Sequence, residues 1–407
     1  MSYSAYDILQ PQIITGVIST ISPPAVALQK IFGWEAFSLA DQDSSIFDGA
    51  VRTVPETDSM QGNYEDIPTR TAAYDIFDYS RNIGSVSNPM TANSMITPKA
   101  VGNVPYTLPR LAETINLPLE RIYQDQRPIG GPVATLDSRG ERYLKGQIAY
   151  QYERVSNLIE FQTASLLRGK FYLYQVGNQL LPSWTASSGT TYPIATVDYG
   201  LTDPGNDLDN ITGLSGIDAD GWDDADTDIP AEIRKISKFL EAQCGQPLEL
   251  MIMNSTTLSY ILNNTAVQSQ AGSTFRPFDV YERVNSSNDR RYSLVLRGVP
   301  VVDIVVIDYG LNVWDTSAHT FTTLMPDGGV AFLPKPRPEW TTYYRGCEPI
   351  TLRPYGGQES VVQPFGMYMY PYVKPNPASI DLNCNHNGMP VCFRPKAIVY
   401  ADVTNPN

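Results

Sequence analysis

Residues 138–170 read SRGERYLKGQIAYQYERVSNLIEFQTASLLRGK, a run without proline in a chain that holds 32 prolines. Ser138 followed three residues later by Glu141 is a capping box that starts a helix, and Gly169 directly after Arg168 is a left-handed stop. Apolar spacings of three, four and seven predict one buried stripe along this helix, formed by Leu144, Ile148, Tyr152, Val155, Ile159 and Leu166. The predicted helix, about 139–168, would be roughly 45 Å long, well beyond the ordinary globular helix. A long strut with almost no catalytic side chains indicates scaffolding rather than chemistry.

The composition indicates a folded, loop-rich chain with a large surface for partners. Of its 407 residues, 42% are hydrophobic, only 18% are charged and 25 are tyrosines. The charged fraction is below the usual quarter, which indicates a sizeable uncharged surface that partner subunits cover. The formal net charge of −14 argues against binding to the phosphate backbone, which needs clustered Lys and Arg. It is compatible with enclosing nucleic acid without adhering to it.

Cysteine usage and hydropathy indicate the compartment. The cysteines are too few and too widely spread for a disulfide framework, so we expect reduced thiols in a cytoplasmic product; they are Cys244, Cys347, Cys384 and Cys392. No signal-peptide pattern is expected, since the first cation after Met1 is Lys30. The most apolar segment, 299–314, is too short and too charged to span a bilayer, so no membrane association is expected.

The first 118 residues are predicted to be mostly extended. Residues 1–50 are apolar without a clean period and are interrupted by prolines. Such an arm either lies across a neighbouring subunit or forms an edge of its own core. Within residues 51–118, the extended stretches 69–79 and 97–117 flank a turn-prone tip at 82–89. This pattern predicts a long two-stranded loop that needs another surface to lie on.

The remainder alternates strand and helix signals. Phe171–Val176 is predicted to begin a strand, and residues 184–228 have the composition of a polar insertion. A compact α/β unit is then predicted, with a helix from Ile229 that stops at Gly245 and a buried strand at Leu250–Met253. A second helix is predicted at Ser255–Asn263, capped by Asn254, with Leu258, Ile261 and Leu262 facing inward. Further strands are predicted at 292–297 and 299–308. Returning strands are predicted at 341–345, 361–373 and 397–403.

The densest run of carboxylates lies at 218–228. Carboxylate oxygens favour calcium, which makes Asp218, Asp220, Asp223 and Asp224 weak candidates for metal ligands. Aligning Gly221 with the glycine of an EF-hand loop places Gly216 and Thr227 at ligand positions, so that pattern fails. The alternative is a solvated acidic loop whose Asp226 and Asp228 complement a helix dipole.

Other candidate chemistry is sparse. Cys384, His386 and Cys392 supply only three of the four ligands that zinc prefers, at the wrong spacing, so we interpret them as unliganded loop residues. The chain has only two histidines, and it lacks a nucleophile elbow, a phosphate-binding loop and a dinucleotide fingerprint. We therefore expect no catalytic residue, no cofactor and no bound metal, and a protein that is not an enzyme.

Several short stretches carry a family resemblance. In chain order they are Arg139-Gly140-Glu141, Leu166–Lys170, Trp222-Asp223-Asp224, Met251–Asn254, Asp308-Tyr309, Met325–Val330 and Leu333-Pro334. Their order over residues 50–375 resembles the major capsid proteins of tailed bacteriophages, which have the Hong Kong 97-like fold. More narrowly, it resembles the lambda-type capsid family, major capsid protein E.

The resemblance implies an α+β fold divided into five parts. These are an N-terminal arm at 1–50, an extended β-hairpin loop at 51–118, a peripheral domain at 119–228 with its spine helix at 138–169 and a polar insertion at 184–228, an α/β axial domain at 229–338, and returning strands with a C-terminal tail at 339–407. Lys99 is the only lysine of the extended loop and lies off its predicted tip, so covalent cross-linking between subunits is not expected.

The function implied is that of a major capsid protein. Copies would self-assemble into hexamers and pentamers of an icosahedral shell around double-stranded DNA, in the host cytoplasm, and remain in the virion. Scaffolding, portal and decoration proteins are further implied partners. Two alternatives stay open: an encapsulin-like compartment with an enzyme cargo, and a calcium- or carbohydrate-binding globular protein that uses residues 218–228.

Overall fold

The computed structural model describes residues 27–34, 64–77, 101–118, 137–186, 192–270, 278–282, 289–294, 301–315, 317–336, 339–346, 350–352, 360–362, 367–375 and 378–404. The chain divides into two compact units, each assembled from separate segments. Unit 1 comprises Met1–Ala72, Tyr106–Glu160 and Thr342–Pro390, and unit 2 comprises Ala73–Pro105, Phe161–Thr341 and Val391–Asn407. The five-part division inferred from the resemblance stays a prediction.

Both helices and strands are present, which makes the architecture α+β. The helices are α1 Ala27–Phe32, α2 Asp137–Arg168, α3 Ile229–Cys244, α4 Ser255–Asn263 and α5 Thr265–Gln270. The strands are β1 Tyr64–Ile67, β2 Thr71–Phe77, β3 Val101–Thr107, β4 Arg110–Pro118, β5 Lys170–Val176, β6 Gln179–Ser183, β7 Ala195–Asp198, β8 Asn206–Asp207, β9 Leu250–Met253, β10 Phe278–Glu282, β11 Asp289–Leu294, β12 Val302–Ile307, β13 Gly310–Asp315, β14 Ala318–Thr323, β15 Gly329–Leu333, β16 Thr341–Gly346, β17 Ile350–Leu352, β18 Ser360–Val362, β19 Met367–Pro375, β20 Ala378–Cys392 and β21 Val399–Asp402.

The long helix predicted from the sequence is confirmed as α2. It ends at Arg168, and Gly169 follows with φ 88°, the left-handed conformation that its sequence position requires. It begins at Asp137 rather than after Ser138, and the side chains of the proposed capping box lie outside the described residues. The predicted apolar stripe is buried at Ile148, Val155, Ile159 and Leu166. The 32 residues of α2 contribute to both units.

Unit 1 is built on a five-stranded sheet. Its order is β1-β16-β20-β19, with β4 also paired to β20. β1 runs parallel to β16, whereas β4 and β19 run antiparallel to β20. Within residues 51–118, strands β1 and β4 belong to this five-stranded sheet, and β2 pairs with β3 in a separate two-stranded sheet. The predicted tip at 82–89 lies outside the described residues.

Unit 2 is built on a seven-stranded sheet in the order β10-β11-β12-β9-β15-β21-β8. Helix α3 packs its apolar stripe onto this sheet, because Ile229, Ile233 and Ile236 share one core with strand residues such as Met251 and Phe332. Full burial of each such side chain stabilises the fold by about 1.5–3 kcal/mol. The predicted α3, β9 and α4 are confirmed, including the left-handed stop at Gly245.

Two sequence-based predictions of local structure are wrong. Leu262 is exposed rather than inward, because its neighbour Ile261 already occupies the core face of the short helix α4. The polar insertion at 184–228 stays a prediction, and it contributes Leu208, Ile211 and Leu214 to the core of unit 2. These residues recur every three positions, a spacing hidden by the surrounding Gly, Asp and Thr.

The second wrong prediction is that Cys384, His386 and Cys392 are loop residues. They lie in β20, a 15-residue strand. Its sequence contains Asn, Asp and Gly, which disfavour strands, and the alternation of apolar and polar side chains over residues 378–385 breaks off at His386. Pairing with neighbours on both sides satisfies its backbone and outweighs this propensity.

Candidate functional site

The tryptophan before the acidic run is a core anchor of unit 2. The Glu232 carboxylate accepts hydrogen bonds from the Trp222 indole Nε1–H at 2.7 Å and from the Asp218 backbone amide at 2.8 Å. Trp222 is 1% exposed, and its ring stands edge-on to Phe332. Burial raises the pKa of Glu232, against the opposing influence of these hydrogen bonds and of Lys235. The segment 218–222 is thereby fastened to α3.

The four candidate metal ligands are exposed along this segment. Asp218 Oδ1 accepts from the backbone amide of Asp220 at 3.4 Å, and Asp224 Oδ1 accepts from that of Asp226 at 2.9 Å. Asp223 has interactions of its own. Within the described residues, no group of three or more His, Cys, Asp or Glu side chains could hold a metal ion. The Asp218 and Asp224 carboxylates thereby stabilise local turns, and Asp228 caps α3 by accepting a hydrogen bond from the Ala231 amide at 3.1 Å.

A cavity of about 200 Å³ lies beside this segment in unit 2. Its lining includes the apolar side chains of Leu208 and Trp222. The acidic lining residues are Asp207, Asp209, Asp218, Glu232 and Asp402. Of the four sequence candidates, Asp218 lines the cavity, and sequence reasoning missed the other four carboxylates because they come from other segments.

A second polar network joins two of the stretches that carry the resemblance. Asn254 Oδ1 accepts hydrogen bonds from the Thr257 amide at 2.8 Å and the Thr257 hydroxyl at 2.7 Å, which confirms it as the cap of α4. The Asn254 side-chain amide donates to Asp327 Oδ1 at 2.5 Å, and the Gly328 amide donates to the Thr257 hydroxyl at 3.0 Å. Gly328 has φ 80°, and a Cβ there would lie 2.4 Å from Asp402 Oδ1, so this turn requires glycine.

His386, Cys384 and Cys392, which are buried in β20, are poorly suited to chemistry. His386 is fully buried, its Nε2 lies 2.8 Å from the Tyr343 hydroxyl, and burial lowers its pKa to about 3. Burial raises the pKa of the Cys392 thiol to about 12 and that of Cys384 even further. A histidine that stays neutral and thiols that stay protonated supply neither a general acid nor a nucleophile near neutral pH.

The described piece of the N-terminal arm is part of unit 1. Glu160, fully buried on α2, accepts hydrogen bonds from the backbone amides of Leu28 at 2.8 Å and Gln29 at 3.3 Å. Trp34 is fully buried, stacks on Phe32, and lies with its ring 5.6 Å from that of Tyr343. For residues 27–34, the expectation of an edge of the protein's own core is met. The rest of residues 1–50 lies outside the described part of the chain.

The end of α2 is fastened by an arginine of unit 2. Arg168 donates to the Leu324 carbonyl oxygen at 2.8 and 3.1 Å and to that of Thr323 at 2.8 Å. Its guanidinium lies 4.0 Å from the centre of the Trp184 ring. Arg168 therefore joins the end of β14 to the residue that follows β6. None of the described helices is long and apolar enough to cross a membrane.

Comparison with known proteins supplies the class. The family model described as phage major capsid protein E matches residues 58–403. That range is most of the chain and includes both polar networks of unit 2, so the protein is of the phage capsid class. Specifically, the chain belongs to the phage major capsid protein E family. No curated protein sequence matches it.

Solved structures similar to this chain are distant. A protein described as the capsid protein of an E. coli CFT073 prophage is 12% identical, with 75% of this chain and 80% of that chain covered and a TM-score of 0.47. A phage-related protein from Bordetella bronchiseptica RB50 is 11% identical, with 97% and 96% covered and a TM-score of 0.44. The holo-SrpI encapsulin complex from Synechococcus elongatus PCC 7942 is 10% identical, with 94% and 96% covered and a TM-score of 0.39. The family match, not these likenesses, carries the assignment.

Proposed function

We propose that this chain is the shell subunit of a phage head, and that it self-assembles into hexamers and pentamers of an icosahedral shell around double-stranded DNA. The observation that carries the proposal is the family match over residues 58–403. The subunit would adopt the Hong Kong 97-like arrangement of arm, extended loop, peripheral domain and axial domain. It would assemble in the host cytoplasm and remain in the virion.

The chemistry of the described residues supports a structural role without catalysis. Burial keeps His386 and Cys392 of β20 neutral, and the polar networks around Trp222 and Asn254 connect elements of the fold. The net charge of −14 supports an enclosure that repels the phosphate backbone, so that DNA packs inside without adhering. Scaffolding, portal and decoration proteins are the further partners that we propose.

The content of purified particles tests this proposal. We expect particles made in a phage-infected or phage-expressing cell to retain nuclease-resistant double-stranded DNA. Particles that instead retain a defined enzyme and no DNA would contradict a phage head and support an encapsulin-like compartment. The same chain expressed alone should give particles that lack phage DNA, which serves as the control for nucleic acid acquired during lysis.

A further inference from the structure

Two aspartates in the described part of the chain are followed directly by glycine. They are Asp220, before Gly221, and Asp327, before Gly328. A third Asp-Gly pair, at 48–49, lies outside the described residues. Because glycine has no Cβ, nothing hinders the approach of its amide nitrogen to the carboxyl group of the preceding aspartate. At such pairs the backbone is open to attack by its own nitrogen.

The Asp327-Gly328 pair is held by hydrogen bonds on both of its reacting groups. Asp327 Oδ1 accepts from the Asn254 side-chain amide at 2.5 Å, and the Gly328 amide donates to the Thr257 hydroxyl at 3.0 Å. A ring can close here only after both bonds break, because the carboxyl group must turn towards an amide nitrogen that has lost its proton. The two hydrogen bonds therefore protect this pair.

The Asp220-Gly221 pair lacks both restraints. Asp220 is exposed, and its carboxylate makes no hydrogen bond or ion pair with the described residues. Its backbone amide donates to Asp218 Oδ1 at 3.4 Å, whereas the Gly221 amide donates to none of the described residues. Gly221 lines the cavity of about 200 Å³, which is polar and large enough to admit water. Since Asp327 is exposed as well, hydrogen bonding distinguishes the two pairs.

The reaction open to Asp220 is isomerisation through a cyclic imide. The Gly221 nitrogen loses its proton and bonds to the Asp220 carboxyl carbon, and the carboxyl group loses one oxygen as water. Water then adds to one of the two carbonyls of the ring and opens it. Opening at the former backbone carbonyl gives isoaspartate, in which the chain runs through the former side chain. One water is lost and one is gained, so neither an enzyme nor an oxidant or reductant is needed.

The segment around Asp220 is fixed on both sides. Before it, the Asp218 amide donates to the Glu232 carboxylate at 2.8 Å. After it, the Trp222 indole donates to the same carboxylate at 2.7 Å, and the Trp222 amide donates to the Val403 carbonyl oxygen at 2.6 Å. Isoaspartate lengthens the backbone between these bonds by one methylene group. The bonds cannot all keep their geometry, and hydrogen bonds weaken steeply as their geometry departs from the optimum.

We propose that Asp220 is a site of spontaneous isomerisation to isoaspartate, and that this modification loosens Trp222 from Glu232 and Val403 as the protein ages. The Asp327-Gly328 pair of the same unit is spared, because Asn254 and Thr257 hold it. The modification needs only one subunit, so it goes beyond the proposed function and does not depend on it.

Peptide mapping of the aged full-length chain tests the site. Wild type is kept at neutral pH, and the fragments that contain Asp220 and Asp327 are assayed for isoaspartate by electron-transfer mass spectrometry. We expect isoaspartate to form at Asp220 at least about tenfold faster than at Asp327, where two hydrogen bonds must break first. In urea, where the fold no longer distinguishes them, the two sites should react at similar rates. Equal rates in the folded chain, or no isoaspartate at Asp220, would overturn the inference.

Substitution by asparagine supplies a second readout with a matched control. Asp220→Asn and Asp327→Asn each introduce a side chain that closes the same ring by losing ammonia, and the mass then rises as the amide becomes a carboxylate. We expect this rise to be at least about tenfold faster in Asp220→Asn than in Asp327→Asn. Equal rates in the two folded variants would contradict protection by Asn254 and Thr257.

Asp220→Glu separates the modification from other effects of ageing. Glutamate keeps the charge but would have to form a larger ring, so isomerisation should stop, and the exposed position should leave the fold unchanged. The Trp222 backbone amide should exchange hydrogen at least about tenfold faster in aged than in fresh wild type, and at the fresh rate in aged Asp220→Glu. Isoaspartate at position 220 without faster exchange would overturn the loosening. Equally fast exchange in aged Asp220→Glu would assign the loosening to another process and also overturn it.

Discussion

The side-chain amide of Asn254 donates a hydrogen bond of 2.5 Å to the Asp327 carboxylate, across 73 positions of sequence. The same Asn254 caps α4 by accepting from Thr257. One side chain therefore fixes both the exit of β9 and the turn that enters β15. These are two of the stretches through which the sequence resembles its family, and the contact gives a physical reason for their occurrence together.

We expect Asn254→Ala to lower the free energy of unfolding by about 2–3 kcal/mol, because it removes the helix cap and leaves polar groups of Thr257 and Asp327 without this partner. Asn254→Asp should still cap α4, but it places a second carboxylate beside Asp327. The destabilisation caused by Asn254→Asp should therefore be smaller in an Asp327→Asn background. Urea unfolding of the four chains measures this coupling. Ser255→Ala, at the exposed neighbouring position, is the control, and additive effects of the two substitutions would contradict the contact.

Glu160 should hold helix α1 in place. Glu160→Ala removes the acceptor for two backbone amides of α1, and we expect a loss of about 2–3 kcal/mol in stability. Amides of residues 27–34 should then exchange faster, and the Trp34 emission should shift to longer wavelength. Glu153→Ala, at an exposed position of the same helix, should leave both signals unchanged. If the amides of residues 27–34 exchanged at the wild-type rate in Glu160→Ala, Glu160 would not hold α1 in place.

Arg168 should be replaceable by lysine only at a cost. Arg168→Lys loses the forked donation to two carbonyls and the planar stacking on Trp184, and we expect about 1–2 kcal/mol of destabilisation. Arg168→Ala should cost about 2–4 kcal/mol, since buried carbonyls then lose their donors. Lys170→Ala, at the exposed position two residues on, is the control. Equal stability of the lysine variant and wild type would show that the fork contributes nothing.

Glu232 should make a pH-dependent contribution of definite sign. Its pKa is raised in the folded state, mainly by burial, so between its ordinary value and the raised value the folded chain binds more protons than the unfolded chain. Its contribution to stability therefore falls as pH rises through this window. The unfolding free energy of wild type minus that of Glu232→Gln should decrease as the pH rises above 4.5. Asp209→Asn, which removes the charge of an exposed residue that lines the same cavity, controls for net charge. A difference that rose with pH would contradict a raised pKa.

Calcium should leave the protein unchanged. Asp218 and Asp224 accept hydrogen bonds from nearby backbone amides, and the four candidate carboxylates do not converge in the described structure. We expect melting temperatures in millimolar calcium and in chelator to agree within about 1 °C. A calcium-dependent rise, abolished by Asp218→Asn with Asp220→Asn, would revive the calcium-binding alternative.

Local signals in the sequence were sufficient where a single segment determines the outcome. Gly169 marks the end of α2, Gly245 ends α3 and Asn254 caps α4, because caps and left-handed stops depend on a few adjacent residues. Strand β20 was not predicted because it contains residues that disfavour strands, and its pairing with β4, which lies more than 250 residues earlier in the chain, cannot be read from the local sequence. The assignment of Leu262 to the core failed because its neighbour Ile261 already faces inward on a helix of nine residues.

The candidate sites were likewise only partly predictable, because their residues come from separate segments of the chain. The sequence identified Trp222 and the carboxylates after it, but the acidic cavity also draws Asp207, Asp209 and Asp402 from other segments. The hydrogen bond between Asn254 and Asp327 likewise depends on the packing of β9 beside β15.

Electron microscopy of the chain, expressed with the scaffolding protein of its phage and purified on a density gradient, tests the central claim most directly. The account predicts closed shells built from hexamers and pentamers, whose diameter bounds the number of subunits. Monodisperse particles of about 45 kDa under every assembly condition, without shells, tubes or hexamers, would contradict it.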